Sequence, residues 1–194
     1  LRRNGMKLGD DIWVSGDLGE PITALQLQKE SKKLLQPVPK VALGLKIREF
    51  ATSSIDLSDG LSSDLRHMIL ASFSENSDKI FVELYFEEML KCLSQNMVDW
   101  FAGKKDNLDL VMLALQSGDE YELCFSAPVN ARTKIRDIGK NLNLPLTLIG
   151  SVRERSSEKN FNWATNRNDG LVWLKSLTKI FDNIFVEKSG YVHF

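Results

Sequence analysis

A mixed α and β fold class is predicted by three features of this sequence. Period-two alternation, the mark of a strand, is read at 11–15 and 54–58, and 79–86 looks like another strand. Runs with helical spacing separate these strands, as at Leu61, Leu65, Met68 and Ile69. The chain has 194 residues, 43 % of them hydrophobic and 26 % charged, enough for one large domain with a real core and too apolar for disorder throughout.

In chain order, the strand at 11–15 ends in the glycine turn Gly16-Asp17-Leu18-Gly19, and Pro21 then opens a helix predicted to run to about 35. Pro37-Val38-Pro39 stops it, because two prolines remove two backbone donors and clash with the preceding turn. A helix over about 39–50 follows, with Pro39 acceptable in its first turn. The strand at 54–58 reaches the tight turn Asp59-Gly60 and a helix from Leu61 to about Ser72. Residues 79–86 predict a strand, 87–102 an apolar-faced helix ending near Gly103, and 106–116 a further helix. Ser117-Gly118-Asp119-Glu120 breaks that helix before a strand over 121–125, a helix over about 129–141 and a strand over 144–150. Short strands are expected at 161–164 and 171–174.

Charge restricts the function classes. The 25 Lys and Arg nearly balance the 26 Asp and Glu, for a net charge of -1, so no overall positive field exists to hold nucleic acid or an anionic membrane. No apolar run approaches the length of a membrane span, and the first residues lack the apolar stretch of a signal peptide, which predicts a soluble, cytoplasmic protein. Cys92 and Cys124 lack metal-ligand spacing and read as core thiols. The first methionine is Met6, so the chain is expected to be processed, truncated or partly represented.

The sharpest chemical signal is Ser54-Ile55-Asp56-Leu57-Ser58-Asp59-Gly60-Leu61. Strand alternation places Asp56 and Ser58 on one face, and Asp59 lies at the turn beside a helix N-terminus. Two carboxylates and a hydroxyl so gathered suit Mg²⁺, which takes one or two carboxylates and completes its shell with water and phosphate oxygens. Unpaired N–H groups of the helix add donors for an anion. A plainer reading makes Ser58 or Asp59 a helix cap and Asp56 a surface residue. The acidic turn Ser117-Gly118-Asp119-Glu120-Tyr121-Glu122-Leu123 could meet a cationic group, or be an ordinary helix-to-strand turn with solvated carboxylates. The terminal Gly190-Tyr191-Val192-His193-Phe194 offers an aromatic ring that could stack on a flat ligand or dock on the core. His67 reads as a structural hydrogen-bonding residue on a helix. Spacing assigns no Ser/His/Asp or Cys/His set, and no Walker-type glycine loop with Lys is present.

Together these segments resemble the thiamine-monophosphate kinase family, within the superfamily of aminoimidazole ribonucleotide synthetase. The resemblance runs collinearly through Arg3-Asn4-Gly5-Met6-Lys7-Leu8-Gly9-Asp10, Trp13-Val14-Ser15-Gly16-Asp17-Leu18-Gly19, Pro37-Val38-Pro39-Lys40 and the Asp56 to Gly60 motif. It continues through Asp64-Leu65-Arg66-His67, Gly118 to Leu123 and the terminal Gly190 to Phe194. Ser117 stands where the family usually has the first glycine of its acidic turn, and Tyr191 where it often has Trp.

The resemblance implies an α+β domain, layered α/β/α with a mixed sheet, like the C-terminal domain of aminoimidazole ribonucleotide synthetase. It implies ATP-dependent phosphorylation of thiamine monophosphate to thiamine diphosphate, with Mg²⁺ as cofactor and ATP as co-substrate. Residues 1–194 would then be the C-terminal domain, and an absent N-terminal domain would carry most of the metal and nucleotide ligands and pair two subunits as a homodimer. By motif, Asp56 and Asp59 would ligate Mg²⁺, Arg3 and Ser58 would contact ATP, and Asp119 and Tyr191 would line the substrate side. No protein nucleophile is implied, and the isolated chain is expected to be inactive. The alternative expectation is a nucleotide-binding or assembly domain of a sister member of the superfamily without kinase activity.

Overall fold

The computed structural model describes residues 1–74 and 77–154 together with the backbone of 171–175. Six strands form one sheet: β1 (Asp11–Ser15), β2 (Ser53–Asp56), β3 (Ile80–Tyr85), β4 (Leu123–Ala127), β5 (Leu146–Glu154) and β6 (Leu171–Lys175). Their order is β2-β4-β1-β5-β3-β6. Every pairing is antiparallel except that of β3 with β6, so the sheet is mixed. The expected strand at 171–174 is β6, while that at 161–164 lies outside the described residues.

Alternation along the strands feeds a core on each face of the sheet. Ile12, Val14, Ile55, Val82, Leu84 and Cys124 point to one side, where they meet α4 (Leu61–Phe73), α5 (Phe86–Lys91) and α7 (Asn107–Leu115) through Leu65, Met68, Met89, Leu110 and Val111. Trp13, Phe125 and Ala127 point to the other, against Leu43 and Ile47 of α3 (Val41–Ile47) and Ile135 and Ile138 of α8 (Arg132–Leu142). The layers are therefore helix, sheet, helix, as expected for an α+β layered domain. Arg132 clamps α8 to β1, donating from Nε and Nη2 to the two oxygens of buried Asp11 at 2.6 and 2.7 Å. Such a bidentate pair fixes orientation as well as distance.

A bulge serves this two-sided core. Ile12 pairs with Gly150 and Trp13 with Leu148, leaving Ile149 as the extra residue. The extra residue reverses the alternation of β5: Leu146 and Leu148 join the α3/α8 side, Ile149 and Val152 the other. A Cβ at Gly150 would stand 2.4 Å from the carbonyl oxygen of Glu83, so glycine is what lets β3 approach.

Several predicted elements are corrected. The helix expected over 21–35 is two, α1 (Glu20–Leu27) and α2 (Lys32–Leu35). Gln28 takes a left-handed conformation at the end of α1, and the Ser31 hydroxyl accepts from the Leu34 amide to start α2. The helix expected over 87–102 is likewise two, α5 and α6 (Gln95–Trp100). Between them the chain leaves the helix to bracket Leu18, whose N–H donates to Cys92 at 2.6 Å and whose carbonyl accepts from Ser94 at 2.8 Å. Helical spacing reads through such a break because the apolar residues on both sides serve the same core. Cys92 and Cys124 are both buried core thiols, and burial pushes that of Cys92 up to about 12. Among the described residues, no helix is long and apolar enough to cross a membrane.

Candidate functional site

The two acidic turns singled out in the sequence meet at the end of the β2–β4 pair. Strand β2 stops at Asp56, but the ladder continues as loop contacts: Leu57 N–H donates to the Glu122 carbonyl at 2.9 Å and Tyr121 N–H to the Leu57 carbonyl at 2.8 Å. Asp119 N–H then donates to the Ser58 carbonyl at 3.0 Å. These bonds place Asp56, Ser58 and Asp59 beside Asp119. The Tyr121 hydroxyl donates to Asp119 Oδ1 at 3.0 Å, and that bond, with the negative charges of Asp119 and Asp56, raises the pKa of the phenol.

Asp64, one turn into α4, organises the first turn from below. Its Oδ2 accepts from the Ser58 and Asp59 amides at 3.0 and 3.1 Å, which ties the loop to the helix it precedes. The expectation that Ser58 or Asp59 caps α4 is corrected: Gly60 is the cap residue, with φ 102, and no side chain bonds there. Its φ belongs to glycine, and a Cβ at Gly60 would also lie 3.1 Å from the Gln116 backbone. Asp64 is buried, and burial, with the nearby negative charge of Asp59, lifts its pKa from 3.8 to about 6. His67 Nδ1 lies 3.7 Å from Asp64 Oδ1. Ligand atoms of Asp59, Asp64 and His67 fall within 4.8 Å of one another. The hard oxygens of Asp56 and Asp59 suit Mg²⁺, and the His67 nitrogen suits it less.

Behind the turns lies a second charge cluster. Glu120 and Glu122 are buried. Glu120 Oε1 accepts from the Gly19 amide at 2.5 Å, while Oε2 faces Lys33 Nζ of α2 at 2.7 Å. Glu122 Oε2 accepts from the Ser15 hydroxyl at 2.5 Å, and its Oε1 lies 3.1 Å from Lys40 Nζ and 3.6 Å from Lys33 Nζ. Lys33 Nζ also donates to the carbonyl of Asp17. Burial raises the Glu120 pKa. Burial acts to lower that of Lys33, but the charges of Glu120, Glu122 and Asp17 outweigh it and the net shift is upward. A cleft of about 390 Å³ opens over this cluster, lined among others by Asp17, Lys33, Lys40, Glu120 and Glu122.

Of the residues expected in a site, Asp56, Ser58, Asp59 and Asp119 come together. Arg3 is exposed at the outer edge of β2, where the carbonyl of its neighbour Arg2 accepts from Ser54 N–H at 2.8 Å. Tyr191 lies outside the described residues. The sequence leaves Glu120 open between meeting a cationic group and being solvated, and it marks neither Lys33 nor Lys40 as the partner of the Glu120–Glu122 pair. Lys40 and Glu122 were within recognised motifs, but Lys33 belongs to an ordinary Lys-rich helix stretch with nothing local to mark it. Ser117 is buried, its hydroxyl accepting from Ile22 N–H at 3.4 Å. The left-handed residues of the turn are Asp119 (φ 56) and Tyr121 (φ 51), neither of them at position 117, so serine there imposes no strain.

No family model matches the chain. A curated relative, thiamine-monophosphate kinase of Buchnera aphidicola subsp. Acyrthosiphon pisum, is 30% identical over 213 residues, an alignment covering 100% of this chain and 55% of the relative. Among solved structures, thiamine-monophosphate kinase from Stenotrophomonas maltophilia K279a superposes with a TM-score of 0.68 at 33% identity, covering 80% of this chain and 51% of that one. The structure described as AaThiL complexed with AMPPCP and TMP has a TM-score of 0.63 at 24% identity, covering 99% of this chain and 53% of that one, and shows the shared fold. The chain spans about half the length of the curated relatives it matches. Collinear motifs, the paired acidic turns they build and this likeness in sequence and fold place the chain in the thiamine-monophosphate kinase family.

Proposed function

We propose that the protein to which this chain belongs transfers the terminal phosphoryl group of ATP to a phosphate oxygen of thiamine monophosphate, giving thiamine diphosphate and ADP. Support comes from the relatives' names and from the AMPPCP and TMP held by the AaThiL neighbour. The observation that carries the reading is the joining of the 57–59 turn to the 117–121 turn, which sets Asp56, Ser58 and Asp59 next to Asp119. Asp56 and Asp59 would hold Mg²⁺, which when bound offsets the charge of the nucleotide phosphates. Ser58, with Arg3 from the edge of β2, contacts ATP. Asp119 faces the cationic thiazolium, an attraction that strengthens as water is excluded. Tyr191 stacks on the heterocycle. Phosphoryl transfer by positioning and charge neutralisation needs no protein nucleophile. The rest of the protein, outside the half matched here, supplies further ligands and the contacts of a homodimer, and the protein works in the cytoplasm.

Assay of the full-length protein with MgATP and thiamine monophosphate tests this. Thiamine diphosphate should form, and residues 1–194 alone should give none at a comparable rate. Nucleotide binding without turnover of thiamine monophosphate would overturn the reading in favour of a non-kinase member of the superfamily.

A further inference from the structure

The turn that carries Asp119 is held in an unfavourable backbone conformation from inside the protein. Asp119 and Tyr121 are both left-handed, φ 56 and 51, although neither is glycine. Residues with a Cβ persist in that region only where their surroundings over-determine them. From the outer side, the Asp119 and Tyr121 amides are engaged by the Ser58 and Leu57 carbonyls. From the inner side, the intervening Glu120 points into the protein, its side chain 1% exposed, between Gly19 N–H and Lys33. Two left-handed residues around one inward anchor turn Asp119 and Tyr121 outward together.

We propose that Lys33 is a positioning residue: from α2, through its ion pair with Glu120, it locks the turn in the conformation that presents Asp119 and Tyr121 beside the Asp56–Asp59 turn. The inference rests on the acceptor-side role proposed for Asp119. Lys33 can do this because one ammonium serves several anchors, lying 2.7 Å from Glu120, 3.6 Å from Glu122 and 3.4 Å from Asp17. It keeps the negative charge of Glu120 tolerable away from water, and without it Glu120 would keep the Gly19 amide but lose its counter-charge. The carboxylate would then take a proton or swing toward the cleft, and the strained residues on either side would relax.

The test uses the full-length protein carrying Lys33→Met, Lys33→Arg or Glu120→Gln, with a crystal structure and steady-state kinetics for each. In Lys33→Met, Asp119 and Tyr121 should leave the left-handed region, and KM for thiamine monophosphate should rise about tenfold while KM for ATP stays within twofold. Lys33→Arg should restore both the turn and the KM. Glu120→Gln should also release the turn, and it stands in for Lys33→Met if that variant does not fold. A turn unchanged in the released variants, with only stability lost, would overturn the proposal. So would a KM effect equal for both substrates. If the unmodified protein has no activity on thiamine monophosphate, the proposed function fails, and the backbone conformation of residues 119–121 in the variants still decides whether Lys33 locks the turn.

Discussion

Two groups of carboxylates lie back to back in this protein and are handled in opposite ways. Glu120 and Glu122 sit inside, each facing a lysine ammonium and an N–H or O–H donor. Asp56, Asp59 and Asp119 gather on the outer side, above buried Asp64, which accepts two backbone amides, feels the negative charge of Asp59 and has His67 Nδ1 at 3.7 Å. Paired charge builds structure, because its field is spent on the partner. Gathered negative charge instead leaves an attraction for a cation. The inner group should therefore govern stability and the conformation of the acidic turn, and the outer one the contacts with a cation and substrate.

The largest expected effect would come from the outer group. If Asp59 holds Mg²⁺ as proposed, Asp59→Asn, which keeps the side-chain shape and deletes one negative charge, should cost the full-length protein roughly a hundredfold or more in turnover at limiting Mg²⁺, as expected for several kcal/mol of metal-borne stabilisation. Its urea midpoint should stay near that of the unmodified protein. Asp56→Asn should behave alike, and a near-normal rate in both would return these residues to the plain role of a strand end and turn.

Next in size, Lys33→Met should lower unfolding stability by about 3 kcal/mol or more, since removing one partner of a buried pair strands the other. The double variant Lys33→Met with Glu120→Gln should recover much of that loss. A small effect of Lys33→Met in denaturant titration would break the contrast between the inner and outer groups.

The pH dependence sharpens it further. Asp64 binds its proton more tightly folded, at about 6, than at its ordinary 3.8, so the folded state holds more protons between those values. In the presence of a chelator its contribution should favour folding below about pH 4 and be progressively lost as pH rises to about 6. Denaturation measured at several pH values should show a shallower decline across this window in Asp64→Asn.

The smallest effect is expected at Ser117. Its buried hydroxyl accepts from the Ile22 amide at 3.4 Å, reaches the Gly118 carbonyl at 3.5 Å and hydrogen-bonds Glu120, and the Ile22 and Gly118 contacts are long. Ser117→Gly should cost about 1 kcal/mol and leave KM for both substrates unchanged, because Glu120 keeps the Gly19 amide and Lys33 and the turn's left-handed residues lie elsewhere. A marked change in KM for thiamine monophosphate would show that position 117 does aim Asp119.

Local pattern was a good guide where a residue's partners lie near it in sequence. The strands read at 11–15 and 79–86 match β1 and β3 nearly to the residue, and the helix after Gly60 begins at Leu61. Asp56, Ser58 and Asp59 were recognisable because a strand, a tight turn and a helix start occur within eight residues. What failed was continuity: the 21–35 and 87–102 helices break at Gln28 and at Cys92–Ser94, and the second break answers to Leu18, far away in the chain.

The sequence by itself determined the mixed class, the acidic turns and the motifs that resemble this family, because each is written in contiguous residues whose spacing sets which face they occupy. Only the tertiary structure decided that the two turns join through the Ser58 carbonyl and the Asp119 amide. It alone showed that Glu120 is buried while its neighbours face outward, and that the lysine opposing it is Lys33, 87 positions earlier in the chain. The physical reason is that a carboxylate reads the same in a sequence whether water or an ammonium will neutralise it. Burial and pairing are settled only when β1, α2 and the approach to β4 are brought together, and that choice separates the charge that holds the fold from the charge left to act.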